Sequence, residues 1–409
     1  MPAVLPVLLI LPVLPIPTTM TIPKNTFSLP LGGQSLAAAR FLSGLNRFLV
    51  FCEGEACGRV KAFLPNPGRL LELLLPDVTL YLLHNGGGKS DRATDYTVLA
   101  VERDGQPVLL HTHWCNVMAR QLLDAGLVPG LENARVVRQE VKVGHSRFDF
   151  LLEDNRGPLY VEVKSCTLFG NNVAMFPDAV TARGRRHLLE LHEIAESGKA
   201  RCAVLFMVQT DQAACFMPDY HTDPEFADAM LAVRQHVPII PLPMVWDKRL
   251  NFTVAGKPLP IPWDYVKTEN KDRGAYLLLL ELKKKHTIPV GSLGTLSFNP
   301  GWYIYVGSAM HGLKARLARH TRKRKNKHWH IDSLRDVADT VECLPIRASK
   351  RLECDLSKTL TNHCPESVPN FGCTDCKCPS HLFYQENSPL HQSWFHEALQ
   401  HFRMNTPIH

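Results

Sequence analysis

Arg147-Phe148-Asp149-Phe150-Leu151-Leu152, then Glu153-Asp154-Asn155-Arg156-Gly157, then Leu159-Tyr160-Val161-Glu162-Val163-Lys164-Ser165: two apolar runs of strand length flank a turn rich in Gly, Asn and Asp, which predicts a β-hairpin. Asp149 falls on the first strand, and Glu162 and Lys164 on the second. Side chains two apart on a strand share a face, so Glu162 and Lys164 project together while Val161 and Val163 face the other way. An acidic residue followed after a spacer by Glu-x-Lys is the pattern of a metal-dependent phosphodiesterase. Paired carboxylates hold Mg²⁺ or Mn²⁺ against a scissile phosphate, and the lysine steadies the attacking water or the developing charge. The plain alternative is a hairpin that carries charge on its solvent face, because Glu-x-Lys on a strand is common.

The chain has 409 residues, which predicts two to three domains, since single cores stop growing at roughly 250–300 residues. Hydrophobic residues make up 45%, enough for each domain to bury a core. The formal net charge of +7 mildly favours an anionic partner. That charge is uneven: His320-Thr321-Arg322-Lys323-Arg324-Lys325-Asn326-Lys327-His328 places five cations within six positions. A basic run is either a solvated face or a phosphate-contacting patch, and its position beside a second candidate site favours the patch. Residues 1–23 carry no charged side chain. They are apolar enough for a signal core, but a basic leader is missing and prolines recur every few residues, which argues against a spanning helix. Met20 is an alternative start. Of twelve cysteines, six lie scattered in apolar contexts and six crowd between Cys343 and Cys378. Reduced thiols and a cytoplasmic location are expected, and the cluster suggests metal before disulfides.

Four regions follow the extension at 1–34. Residues 35–112 read as short strands with frequent turns, Phe48–Cys52, Gly58–Ala62, Val78–Leu83, Tyr96–Glu102 and Val108–His111, which suits a small β-barrel of the OB type, a fold that often binds nucleic acid. Ser35–Arg47 reads as a short helix or a strand approach. Arg47 and the rigid turn Pro65-Asn66-Pro67-Gly68-Arg69 offer cations there, whereas Asn85-Gly86-Gly87-Gly88-Lys89 reads as an ordinary flexible turn. Residues 113–255 read as an α/β unit: helices at Trp114–Ala125, Ala179–Ser197 and Pro224–Gln235, and strands at Arg135–Val143, Arg147–Leu152, Leu159–Lys164 and Arg201–Gln209. That order predicts a mixed sheet flanked by helices. Glu140 is a candidate third acidic ligand. Arg183 and Arg186, with Arg185 and His187 beside them in sequence, are three apart on one helix face, which is either placed to grip phosphate or simply solvated. Residues 256–272 are Pro-rich and read as a semi-rigid linker. A further domain, 273–405, opens with apolar strands at Gly274–Glu281 and Gly301–Ala309 and a helix at Leu313–His320.

Taken in order, Asn46-Arg47-Phe48-Leu49-Val50, Leu64-Pro65-Asn66-Pro67-Gly68-Arg69-Leu70, Ser146–Phe150, Val161–Ser165 and Phe176–Gly184 resemble the sugar fermentation stimulation protein A family. The resemblance implies an OB-like domain followed by a PD-(D/E)XK nuclease-like domain, with DNA as the usual partner. It carries the catalytic pattern onto Asp149, Glu162 and Lys164. The C-terminal part resembles the GIY-YIG nuclease superfamily and, more closely, an uncharacterised family related to it. Gly274-Ala275-Tyr276 stands at the GIY position and Tyr305-Val306-Gly307 at the YIG position, each keeping tyrosine and glycine. Arg316 and His320, four apart on one helical face, match its Arg-x-x-x-His, and Glu353 sits where a helix supplies the metal-binding glutamate. His328-Trp329-His330-Ile331-Asp332 is an insertion typical of the uncharacterised branch.

Finally, Cys373, Cys376, Cys378 and His381 have spacings that suit Zn²⁺, with Cys354 or Cys364 as extra ligands. The chain thus reads as an α/β multidomain protein with a nucleic-acid partner, DNA or RNA, and no membrane attachment. Either it cuts nucleic acid with a metal, or it grips DNA without cutting, in the regulation of sugar (maltose) metabolism genes that the family resemblance implies. No base-reading motif is visible, which weakens sequence-specific regulation.

Overall fold

The computed structural model describes residues 25–85, 94–323 and 326–405. The apolar leader, the Gly86–Lys89 turn, Arg324 and Lys325 lie outside these residues.

After a short strand β1 (Phe27–Ser28), the barrel is built from β2 (Leu36–Asn46), β3 (Leu49–Gly54), β4 (Gly58–Phe63), β5 (Thr79–His84) and β6 (Tyr96–Arg103), with β7 (Gln106–Leu109) added to β6. The order β4-β3-β2-β5-β6 is closed into a five-stranded barrel by a short parallel pairing of β4 with β6, Ala62 with Tyr96 and Phe63 with Thr97. The segment read as a helix or a strand approach is the eleven-residue strand β2. Its alternation of buried Ala39 and Phe41 with exposed neighbours is a period-2 pattern that a helix cannot use.

The central unit runs α1 (Thr112–Asp124), β8 (Arg135–Val143), β9 (Ser146–Asp154), β10 (Gly157–Cys166), β11 (Leu168–Gly170), β12 (Val173–Phe176), α2 (Ala182–Glu196), β13 (Arg201–Val208), β14 (Cys215–Pro218), α3 (Pro224–Val233), β15 (Ile239–Trp246) and β16 (Asn251–Val254). A seven-stranded sheet of order β1-β16-β15-β13-β10-β9-β8 is parallel at β10–β13–β15 and antiparallel elsewhere. Its central strands β10 and β13 are buried on both faces: Val161, Val163, Leu205 and Met207 pack on the α1 side, and Val204, Phe206 and Val208 on the α2 side. The Pro-rich stretch that follows is held against this unit. Leu259 donates its N–H to Pro241 O at 2.8 Å, Phe216 donates to Pro260 O at 3.0 Å, and α4 (Trp263–Glu269) follows.

The C-terminal unit adds β17 (Gly274–Leu282), β18 (His286–Pro289), β19 (Thr295–Phe298), β20 (Gly301–Ala309), α5 (Leu313–Thr321), α6 (His330–Val337), β21 (Thr340–Arg347), α7 (Glu353–His363), β22 (Glu366–Ser367), β23 (Leu382–Gln385) and α8 (Ser393–Arg403). Its sheet is antiparallel, in the order β21-β17-β20-β23-β22. It is docked on the central unit through buried polar contacts. The Arg347 backbone N–H reaches His221 Nδ1 at 2.9 Å, and His221 Nε2 lies 2.8 Å from Arg403 O. Ser349 donates its N–H and hydroxyl to Glu269, both at 2.6 Å.

Candidate active sites

Phe150 on β9 pairs with Val161 on β10, and the ladder stops there. One step further on, the Asp149 carboxylate takes the place of a main-chain acceptor: its Oδ2 accepts the Val163 N–H at 2.7 Å, and its Oδ1 accepts from Asn116 Nδ2 of α1 at 2.8 Å. The strand is irregular at this point. Phe148 packs in the core on the α2 side and Phe150 in the core on the α1 side, although they are two residues apart. Glu140, between the partners of Phe148 and Phe150 on β8, has φ 55, a left-handed backbone uncommon outside glycine. Glu140 is exposed and lies 3.6 Å from Arg147, so it is not gathered with Asp149 as a third ligand.

Glu162 is only 3% exposed. Its Oε1 is contacted by Lys164 Nζ and lies 2.6 Å from His187 Nδ1 of α2, while its Oε2 is buried with no hydrogen-bond partner. Burial and then the Glu162 charge push the Asp149 carboxyl up to about 6. Burial works against ionisation of Glu162 too, but Lys164 and His187 outweigh it and hold that carboxyl below its usual range. Two carboxylates that repel each other, with one buried oxygen left unsatisfied, suit a hard divalent cation. Asn116 is absent from the sequence motifs. His187 is present in the Arg183–His187 cluster, but it faces Glu162 rather than phosphate. Arg183, exposed, lies 3.4 Å from His187 through its Nε, and Arg186, exposed, faces Glu190 at 3.8 Å.

On the barrel, Arg47 and Arg69 line one groove of about 380 Å³ together with Leu390 and His391 of the C-terminal unit. Arg69 also pairs with Glu342 of β21. The turn that carries it is welded to the central unit. Asn66 is buried and donates to Leu110 O at 2.8 Å, and the Leu70 N–H reaches Asp178 Oδ2 at 3.2 Å. A Cβ on Gly68 would collide with the Asp178 carboxylate, so glycine is required by close approach.

The second cleft, about 380 Å³, is lined by Tyr305, Ser308, Arg316, Trp329, Glu353 and Asp375 among others. Tyr305, Arg316 and Glu353 therefore converge, from β20, α5 and α7. Tyr276 and His320 stand behind them, almost fully buried, with the tyrosine hydroxyl 2.8 Å from His320 Nε2. Burial raises both tyrosine hydroxyls above their ordinary range. Glu353 accepts from Ser308 Oγ at 2.5 Å and faces His381 Nδ1 at 3.2 Å; against the effect of burial, these two partners lower its carboxyl. Two guanidiniums lie over the Trp329 ring, Arg316 at 4.1 Å and Arg319 at 4.3 Å from its centroid. Arg322, Lys323 and Lys327 are exposed nearby, with Lys327 Nζ 3.2 Å from Asp336.

The predicted cysteine set needs one correction. Cys354, Cys376, Cys378 and His381 bring their ligand atoms within 4.8 Å of one another, and Cys373 is outside this group. Cys373 is buried, and its carbonyl instead receives the Cys376 N–H at 3.4 Å. Cys364 packs in the apolar core behind α7. Among the described residues no helix is long and apolar enough to cross a membrane.

Three family models match successive parts of the chain. Residues 42–110 match the SfsA N-terminal OB domain, 113–249 the sugar fermentation stimulation protein RE domain, and 275–404 the domain of unknown function DUF123. A sugar fermentation stimulation protein homolog of Moorella thermoacetica is 41% identical over 199 residues, covering 48% of this chain and 84% of the relative. That of Methanosphaera stadtmanae is 36% identical over 199 residues, covering 48% and 82%. The solved structure of Pyrococcus furiosus SfsA in complex with Ca²⁺ is 29% identical, with a TM-score of 0.51, covering 56% of this chain and 96% of that one.

Proposed function

The chain belongs to the sugar fermentation stimulation protein family, and from that premise we propose that its restriction-endonuclease-like domain hydrolyses phosphodiester bonds of DNA or RNA with a divalent cation. The observation that carries this is the buried, unpartnered Glu162 Oε2 beside Asp149, with Lys164 on the same carboxylate. The relative from Pyrococcus furiosus was solved with Ca²⁺, a hard, oxygen-seeking ion of the class this pair of carboxylates suits.

Asp149 and Glu162 would hold the ion, which when bound polarises a phosphoryl oxygen and eases ionisation of water. Lys164 supplies a positive charge where the pentavalent phosphorus gathers negative charge. His187 and Asn116 keep the two carboxylates pointed, each by one hydrogen bond. Arg183, outside His187, and the Arg47–Arg69 groove offer cations to the flanking phosphates. In the C-terminal cleft the proposal is a second phosphodiesterase of GIY-YIG type: Arg316 neutralises phosphate charge, Tyr305 relays a proton, and Glu353 provides the single carboxylate for a second divalent ion.

The test is the full chain with Mg²⁺ or Mn²⁺ on single- and double-stranded DNA and RNA. Glu162→Gln is expected to slow cleavage roughly 10²–10³-fold, the scale for losing one charge-stabilising group, while binding is kept or tightened. Any residual cutting should then fall equally with Arg316→Ala and with Glu353→Ala, because groups acting on one phosphate are not additive. A Glu162→Gln variant that cuts at the wild-type rate places all cleavage outside the first site. A second reading, grip without cleavage, is favoured by one contact: Glu162 Oε1 is already shared by Lys164 and His187. Salt-sensitive binding with no cleavage by the wild type would select it.

A further inference from the structure

Four soft ligand atoms meet beside the second cleft, on residues that neither proposed reaction uses. Cys354 sits in the first turn of α7, next to Glu353, and Cys376, Cys378 and His381 come from the loop that enters β23. Their ligand atoms all lie within 4.8 Å of one another. Cys376 Sγ and His381 Nε2 are 3.4 Å apart. A tetrahedral zinc, with bonds of roughly 2.3 Å to sulfur and 2.0 Å to nitrogen, sets its S and N ligands about 3.5 Å apart. A disulfide would consume two thiols, strand the third and give the imidazole no part. A hard cation would not select thiolates.

We propose that Cys354, Cys376, Cys378 and His381 hold a Zn²⁺ ion, and that this ion orients Glu353 through the His381 ring. The four protein ligands close the coordination sphere, so the ion is structural rather than a reaction centre. With Nε2 on the metal, the proton of His381 must sit on Nδ1, which faces Glu353 Oε1 at 3.2 Å. The other oxygen of Glu353 receives the Ser308 hydroxyl at 2.5 Å. Only the Ser308 hydroxyl is a formed hydrogen bond to this carboxylate, and the His381 nitrogen stands at ion-pair distance with no hydrogen-bond partner, so a metal that fixes the ring and its proton would hold the carboxylate from the second side, facing the cleft that Tyr305 and Arg316 line. Zinc also ties α7 to a loop that otherwise has little regular structure, from Asn370 to Ser380.

The experiment counts metal rather than turnover, so it stands whether or not either cleft cuts nucleic acid. The full chain, grown with added zinc and purified with its thiols reduced and without chelator, is analysed by elemental mass spectrometry and then exchanged into Co²⁺. The expected result is stoichiometric zinc and a thiolate-to-cobalt charge-transfer band. Both should be lost in Cys376→Ser and Cys378→Ser and retained in Cys364→Ala and Cys373→Ala. Glu353→Gln should still fill at saturating zinc, but with affinity reduced roughly 10–100-fold, the effect of losing the carboxylate behind a metal-bound histidine. Wild-type protein with no stoichiometric metal and no cobalt band overturns the site, whatever becomes of the variants. Unchanged metal affinity in Glu353→Gln overturns the link to the cleft.

Discussion

Asp149 carries the pH sensitivity of the first site. Burial, and then the neighbouring Glu162 charge, raise its carboxyl to about 6, whereas Lys164, the Val163 N–H and Asn116 pull it the other way. A cation needs the ionised form, so below about pH 6 each bound ion must displace a proton. Ca²⁺ titrated calorimetrically into the protein should bind about tenfold more weakly for each pH unit below that point and with constant affinity above pH ~7. In Asp149→Asn, whatever binding remains should lose this slope; a slope that persists assigns the proton to another group. At this scale the sequence was legible where periodicity is regular. Two-residue spacing put Glu162 and Lys164 on one face, and they touch. It failed one strand away, because Glu140 turns left-handed and Phe148 and Phe150 part to opposite cores, an irregularity that no composition rule announces. Asn116 and His187 were likewise invisible as carboxylate partners, since their contacts span 33 and 25 residues of chain.

Among the elements, β17 and β20 show why a glycine stands at position 307, behind the second cleft. Tyr276 is paired across the ladder with Gly307, and a Cβ on that glycine would strike the tyrosine ring. Gly307→Ala must therefore push Tyr276 away from His320, both of which are buried. Thermal or denaturant unfolding should show the C-terminal unit destabilised by about 1–3 kcal/mol, the usual cost of overpacking. No loss would mean that the ring has room to yield. The 328–332 segment, readable only as an insertion, acquires its purpose from tertiary contacts. Trp329 is stacked by the guanidiniums of α5, and buried Asp332 binds Arg319 as well as the His328 and Trp329 N–H groups. Cysteine spacing was legible for Cys376, Cys378 and His381, and Cys354 stood as one of two alternatives for a further ligand; only the fold, which brings a helix 22 positions upstream of Cys376 to the loop, selects it over Cys364 and leaves Cys373 out.

Across the whole molecule, the docking of the C-terminal unit depends on a neutral histidine. Burial first, and then Arg403 and Arg347, hold His221 well below its ordinary range; its own N–H rests on Asp219 Oδ1 at 3.1 Å. Its Nδ1 accepts the Arg347 N–H, so Nε2 carries the proton given to Arg403 O. With the two units apart, His221 of the central unit would take up a proton below about pH 6.5 that it cannot take up when they are docked, and docking therefore weakens as pH falls. Calorimetry should show one cooperative transition at pH 8 separating into two near pH 5. The same single transition at both values would remove His221 from that role. The segment at 256–272 was readable as Pro-rich, but its hydrogen bonds to the sheet were not, because proline content reports stiffness rather than what the chain rests on. The outermost strand has a consequence in time. Phe27 and Ser28 find their partners only at Phe252 and Asn251, a span of 223 residues for the Ser28–Asn251 contact. On a ribosome adding 5–20 residues per second, the first strand waits roughly 10–45 s for the edge it completes. The barrel, whose strands are neighbours in the chain, can close during synthesis, whereas the nuclease-like sheet is finished by its earliest segment last. A nascent-chain arrest series should therefore find force-generating folding of the barrel well before the central sheet closes, and a chaperone that shields the leading strand would have its window in that interval.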